Sequence, residues 1–442
     1  MVPFSLVSIK GRSFLIPGSF RKLLLISKQR WISFIQGMLL CSFLLMGICS
    51  PTYSQDATPV EPDTVAPVDA MDFLKDLFNV KEKPSTKPPK SVAILPSIGY
   101  NPSLGVVFGA KISAIKQTGP VETTNLSAIG LEGVITSRGI ITVQARSNIF
   151  TKHNKWNLQG NWQLSKYIIN DYGVGTGNKD YRTNSDSLFI IKFSFLRFTE
   201  KVYYKTGENF YVGAGLSFDI RQHINDTKLG ELNTTPHYRY SVRNGFDTLK
   251  YSANGFLLGI QYNTREHPLR SYGGIYFDAY IRFNQTWLGS SQSATQLNYD
   301  FRKYWSLSQK NPEHVFAIWH WASYLINGTL PYLEMPATAY DTYNRSGRAF
   351  TIGRFKGPSY ACFEAEYRFP IMRNKLISGV AFFNAQTASD DIAKEVFDYW
   401  ETGGGVGLRI LFQKHSRSTM CIDYARGKYS SSAFFFGLNE AF

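Results

Sequence analysis

No stretch of this 442-residue chain approaches the roughly twenty consecutive apolar residues of a membrane helix, which excludes helical spanning. Gly-x-Ser-x-Gly, Cys-x-x-Cys and His-Glu-x-x-His are all missing, and with them the common signatures of hydrolase, redox and zinc-protease sites. Among the seven histidines, His223 follows an acid by four positions in Asp219-Ile-Arg-Gln-His223, and a separation of four along a strand does not make a catalytic dyad. The chain therefore reads as a non-enzyme that needs no cofactor and no metal. Acidic residues are absent from the first 54 positions, so part of the net charge of +15 is local: Lys10, Arg12, Arg21, Lys22, Lys28 and Arg30 carry six of those charges. The rest is spread over many segments, without the clustered basic patch and interleaved aromatics of a nucleic-acid binder. Cysteine is scarce. Cys362 and Cys421 fall on the inner faces of non-neighbouring strands, which favours two free thiols over a disulfide.

What the chain has in quantity is alternation. In Gly274 to Asn284, Ile275, Phe277, Ala279, Ile281 and Phe283 share one face, while Tyr276, Asp278, Tyr280, Arg282 and Asn284 share the other. Phe210 to Arg221 and Val406 to Phe412 divide in the same way. One face suits lipid and the other water. Segments of ten or more residues match a tilted strand crossing a bilayer, and a mean hydropathy of only −0.19 fits strands that stay half polar. From 91 to 442 the pattern predicts an all-β, transmembrane antiparallel β-barrel of about sixteen strands. The longest gaps, near 169–186, 222–252, 328–357 and 388–400, all follow odd-numbered strands, so the long loops share one end, as in bacterial outer-membrane barrels.

Residues 1–54 read as a cleaved secretory signal with basic residues, the apolar run Met38 to Cys49 and a small-residue site at Thr52-Tyr-Ser54; the start could be Met38. Residues 55–90 read as a Pro-rich periplasmic linker, in which Met71, Leu74, Leu77 and Phe78 fit a short amphipathic helix.

The most specific signal is Ser346-Gly-Arg-Ala-Phe-Thr-Ile-Gly-Arg-Phe-Lys-Gly357, followed by Phe363-Glu-Ala-Glu-Tyr-Arg-Phe-Pro370. This resembles the bacterial surface antigen family, the barrel domain of outer-membrane assembly factors of the BamA/TamA type, over about 91–442. The resemblance implies that the long loop between strands eleven and twelve folds into the lumen. Its Arg-Gly-aromatic tip is here Arg348-Ala349-Phe350, which would meet carboxylates on the inner wall. Glu364 and Glu366 face inward on the next strand, and Asp423 resembles the family's aspartate near the penultimate strand. Arg348, Phe350, Arg354, Glu364, Glu366 and Asp423 are thus the expected lumenal latch. A polar barrel interior would need paired charges in any case, because a buried unpaired charge is costly, so both readings converge on a latch. Two departures stand out. Ala349 replaces the family's Gly, and 36 linker residues cannot encode one of the tandem periplasmic (POTRA) domains.

The final segment, Ala433 to Phe442, is expected to be the closing strand, with Phe434, Phe436 and Leu438 outward. Its terminal Phe442 resembles the C-terminal signal read by the barrel assembly machinery. The resemblance implies insertion or export of protein or lipid at the outer membrane, with outer-membrane lipid and lipopolysaccharide as surroundings. A passive channel or a purely structural barrel is the alternative.

Overall fold

The structure, a computed structural model, describes residues 4–9, 12–17, 65–70, 72–73, 92–101, 105–120, 122–177, 189–390, 395–414, 416–429 and 431–442; for 4–17, 93–101 and 433 only the backbone is described. Two units are present. The first, Met1–Val60, contains one antiparallel hairpin in which Phe4–Ile9 pairs with Arg12–Pro17. The apolar run Met38 to Cys49 lies outside the described residues.

The second unit is one antiparallel sheet of sixteen described strands, each paired with the next in chain order. They are β1 (Val92–Asn101), β2 (Gly105–Lys116), β3 (Ser127–Thr136), β4 (Ile141–Phe150), β5 (Trp156–Asn170), β6 (Ile190–Gly207), β7 (Phe210–Asp226) and β8 (Tyr251–Asn263). There follow β9 (Gly274–Asn284), β10 (Ala294–Ser306), β11 (Val315–Gly328), β12 (Tyr360–Pro370), β13 (Ile377–Ala388), β14 (Glu401–Gln413), β15 (Ser418–Gly427) and β16 (Ser432–Leu438). β16 comes back against β1, and among the described residues no hydrogen-bonded register joins the two. No described helix is long and apolar enough to cross a membrane.

Register explains the two faces. Ile281 of β9 stands opposite Leu258 and Leu297, all outward, while Asp278 stands opposite Gln261 and Asp300, all lumenal. Leu164 is 62% exposed and Val406 60%, as a lipid-facing surface requires. Outward rings pair across strands: Trp162 stacks on Phe198 with centroids 5.9 Å apart, and Phe256 on Phe283 at 4.8 Å. The long connections after β5, β7, β11 and β13 lie at one end. β6 and β7 run well past the bounds that alternation suggests, to eighteen and seventeen residues. Their inner side chains Ile191, Phe193, Phe195 and Ile224 are apolar because loop residues, rather than water, cover them.

At the opposite end, the described residues of the linker dock on short turns. Val68 N–H donates to the Asn374 carbonyl at 2.9 Å, and the Lys414 backbone N–H donates to Asp69 Oδ2 at 2.9 Å. The Lys414 ammonium reaches Asp72 Oδ2 at 2.8 Å. Asp69 and Asp72 cap each other's backbone N–H groups, a reciprocal capping box that starts a helical turn. Met71, Leu74, Leu77 and Phe78 of the expected amphipathic helix lie outside the described residues.

The closing strand is shorter than alternation predicts. It ends at Leu438, and residues 439–442 leave the wall and enter the lumen. Phe434 and Phe436 face outward as expected, at 53% and 45% exposure, but Phe442 is buried inside the barrel. The cause is electrostatic. On a continued strand Glu440 would share the outward face of Phe436 and Leu438, where lipid cannot solvate a carboxylate; instead it turns in to Arg409, whose Nε lies 2.7 Å from Glu440 Oε2.

Candidate functional site: the lumenal loop and its carboxylate socket

The connection from β11 to β12 folds inward. Its first part buries Leu330, Tyr332, Leu333 and Met335 against Phe193, Phe195, Tyr240 and Tyr251, so apolar burial pulls the loop into the lumen. Tyr240 belongs to the short helix Pro236–Arg243 of the β7–β8 connection, and its hydroxyl donates to the Leu330 carbonyl at 2.9 Å. Charges then pin the loop at two points. Lys356 Nζ lies 2.9 Å from Asp171 Oδ1, which also accepts from the Tyr332 hydroxyl at 2.7 Å. Arg221 Nε of β7 lies 2.8 Å from Glu334 Oε1. Asp341 shapes the turn before the tip by accepting backbone N–H groups of Tyr343, Arg345 and Ser346 at 3.0, 2.8 and 2.7 Å.

The tip itself rests on strands β12 to β15. Gly347 has φ +72° and Ala349 φ +96°, so the alanine adopts the left-handed backbone that glycine enters freely. Arg348 Nε donates to Glu364 Oε1 at 2.8 Å, and its two terminal nitrogens reach Glu366 Oε2 at 2.5 Å and Asp423 Oδ2 at 3.1 Å. The guanidinium lies over the Phe382 ring, 3.7 Å from its centroid, and Asn384 Nδ2 donates to the Arg348 carbonyl at 2.6 Å. Phe350 packs on Phe355 at 5.0 Å. Room for the tip comes from glycines: a Cβ on Gly403 would stand 2.9 Å from Ala349 Cβ, and one on Gly427 would stand 2.5 Å from the Phe350 ring.

The socket continues toward the chain end. Arg409 links Asp423 Oδ1 (2.5 Å) to Glu440 Oε2 (2.7 Å). Arg368 holds Glu366 through Nε at 2.6 Å and donates to the Phe442 carbonyl at 2.8 Å. Arg270 Nε lies 3.4 Å from Glu440 Oε1. Arginines 270, 348, 368 and 409 thus interleave with Glu364, Glu366, Asp423 and Glu440, all buried, so that no charge stands alone in the low-dielectric wall. Of the residues singled out in the sequence, Arg348, Glu364, Glu366 and Asp423 meet directly. Arg354 lies elsewhere, its guanidinium 4.4 Å from the Tyr172 centroid and 5.2 Å from that of Tyr429. Sequence reasoning missed Arg409, Glu440, Arg270 and the Lys356–Asp171 pair. Inward alternation on β14 could have found Arg409, and a carboxylate on the outward register of the last strand could have found Glu440, while Arg270 and the Lys356–Asp171 pair come from turns and loops that carry no periodic signal.

A family model, the Omp85 superfamily domain, matches residues 141–442, from β4 to the chain end. The chain belongs to the Omp85 superfamily. Omp85 barrels are integral outer-membrane proteins, and this chain is one of them. Its fold is similar to that of BamA from Haemophilus ducreyi lacking POTRA domains 1–3, with a TM-score of 0.52 at 14% identity, covering 80% of this chain and 70% of that one. It is also similar to CdiB from Escherichia coli, with a TM-score of 0.52 at 8% identity, covering 87% of this chain and 68% of the other. No curated protein sequence matches.

Proposed function

We propose that this Omp85 barrel acts in the insertion or export of protein or lipid at the outer membrane, with the β11–β12 loop as a lumenal plug latched by Arg348. The observation that carries the reading is the single guanidinium that gathers Glu364 and Glu366 of β12 and Asp423 of β15. A loop needed only to cover the barrel mouth would not reach so far down the wall. Residues 1–54 act as an export signal and 55–90 as a periplasmic linker; the barrel assembly machinery is the partner during biogenesis, and outer-membrane lipid, including lipopolysaccharide, is the surrounding medium.

Planar-bilayer conductance tests the plug. The intact barrel should conduct little, and removal of 328–357, with its ends rejoined, should open a large steady conductance. High conductance in the intact protein would favour the passive-channel reading. Depletion of the protein in cells, followed by measurement of outer-membrane protein and lipid levels, tests the assembly role separately.

A further inference from the structure

A cavity of about 300 Å³ lies between the part of the loop that precedes the tip, from Glu334 to Arg345, and the strand wall. Nine basic and six acidic side chains line it, and the acids are already engaged. Asp219 holds Arg197 at 2.6 Å and Arg282 at 2.8 Å; Asp300 holds Arg302 at 2.5 Å; Asp278 holds Lys201 and Tyr203. Glu334 and Glu440 are paired with Arg221 and Arg409, as described above, and the Asp341 carboxylate is taken up by three backbone amides.

Positive charge is left over on one side of the cavity. Lys111 of β2 and Arg146 of β4 face it from the wall, and Arg345 faces it from the loop. Glu132 of β3 is the carboxylate beside the two wall cations: it stands opposite Lys111 in register, and Arg146 Nη1 lies 3.9 Å from its Oε2. Arg345 gives its side-chain donors to carbonyls of the chain end rather than to a carboxylate. Tyr343 stands between Arg146 and Arg302, with its ring 5.2 and 5.9 Å from their guanidinium carbons. Two further donors lining the same space, Arg146 Nε and Asn298 Nδ2, are buried without an acceptor. Surplus cations together with unsatisfied donors describe a cavity short of a negative, acceptor-rich group.

We propose that this cavity binds a phosphate group, either free or on a lipid headgroup. Phosphate offers several acceptor oxygens at once, and the donors converge from β2, β4, β10 and the loop rather than from one side. The inference does not depend on the plug reading, since its wall donors Lys111 and Arg146 sit on β2 and β4, apart from the β12–β15 strands that hold Arg348.

The test uses the full chain folded in detergent, with inorganic phosphate titrated at constant ionic strength and thermal unfolding followed by heat-modified gel mobility. Phosphate should raise the midpoint in a saturable way that chloride does not reproduce. Replacing Lys111→Gln and Arg146→Gln together should weaken the apparent affinity about tenfold or more, since contacts to charged groups are the strong ones. Glu132→Gln should tighten binding severalfold by removing the competing carboxylate, a gain that a misfolded variant cannot mimic. Short-chain phosphatidic acid below its micellar concentration separates the sources: tighter binding than inorganic phosphate assigns the site to headgroups, and equal or weaker binding assigns it to the free ion. An equal shift with chloride, or one unchanged in the double variant, would overturn the proposal.

Discussion

The ring of Phe442 lies 5.3 Å from the indole of Trp319, centroid to centroid, on the inner side of β11. The last residue of the chain is therefore a lumenal core residue, packed with Tyr304, Val315 and Ala317. Phe442→Ala should destabilise the barrel by about 3 kcal/mol, the lower end for a buried phenylalanine. Urea titration of heat-modifiable protein reads this directly, and Phe442→Leu should recover most of the loss. Equal stability of all three would mean that the terminal ring carries no packing.

Arg348→Ala removes the cation shared by Glu364, Glu366 and Asp423 and leaves carboxylates buried together, a loss of about 3–5 kcal/mol in the stability of the docked loop. Protease added from the loop side should then cut between 328 and 357. Combining Arg348→Ala with Glu366→Gln should cost less than the sum of the two. Strict additivity would sever the pair.

Gly427→Ala should lift Phe350 from its seat, costing about 1–3 kcal/mol as overpacking does. Phe350→Ala in the same chain should relieve much of that cost. Thermal midpoints of the two single variants and the double variant decide it.

On the outer face, Ile281→Arg should cost about 2–4 kcal/mol, because the side chain stands among Leu258 and Leu297 toward lipid. Folding yield into lipid vesicles against urea measures it. A cost near zero would put Ile281 outside the hydrocarbon band.

His267 sits in the turn between β8 and β9, where Nδ1 accepts the backbone N–H groups of Leu269 and Arg270 at 3.2 and 3.3 Å. Burial, with help from Arg417, pushes its pKa from the usual 6.5 down to about 4. The unfolded chain thus binds the proton first as pH falls, so the stability contributed by neutral His267 is full above about 6.5 and drains away between there and about 4. Stability measured across that window should fall more steeply in the native protein than in His267→Asn, which keeps an acceptor but cannot titrate there.

Period-two patterning made the barrel legible, because a strand between lipid and water must alternate, and it placed Ile281 outside and Asp278 inside. An inward face need not be polar: Phe193 and Phe195 are inward yet apolar because they share a buried cluster with Leu330 and Leu333. Arg348 and its three carboxylates were legible from motif resemblance together with inward alternation. Glu440 was legible in principle, since a carboxylate due to face lipid marks the point where a strand must stop. Arg270 and Lys356 were not, because they act from irregular segments whose direction only the folded chain sets.

Arg345 donates to the carbonyls of Leu438, Asn439 and Glu440, at 2.9 Å for Asn439. The Leu438 oxygen belongs to the last residue of β16, so the arginine occupies an acceptor where the strand ends. β16 has seven residues beside a β1 of ten. A segment that paired with this edge would meet the arginine at Leu438, so a side chain inside the barrel would limit how far such pairing could extend.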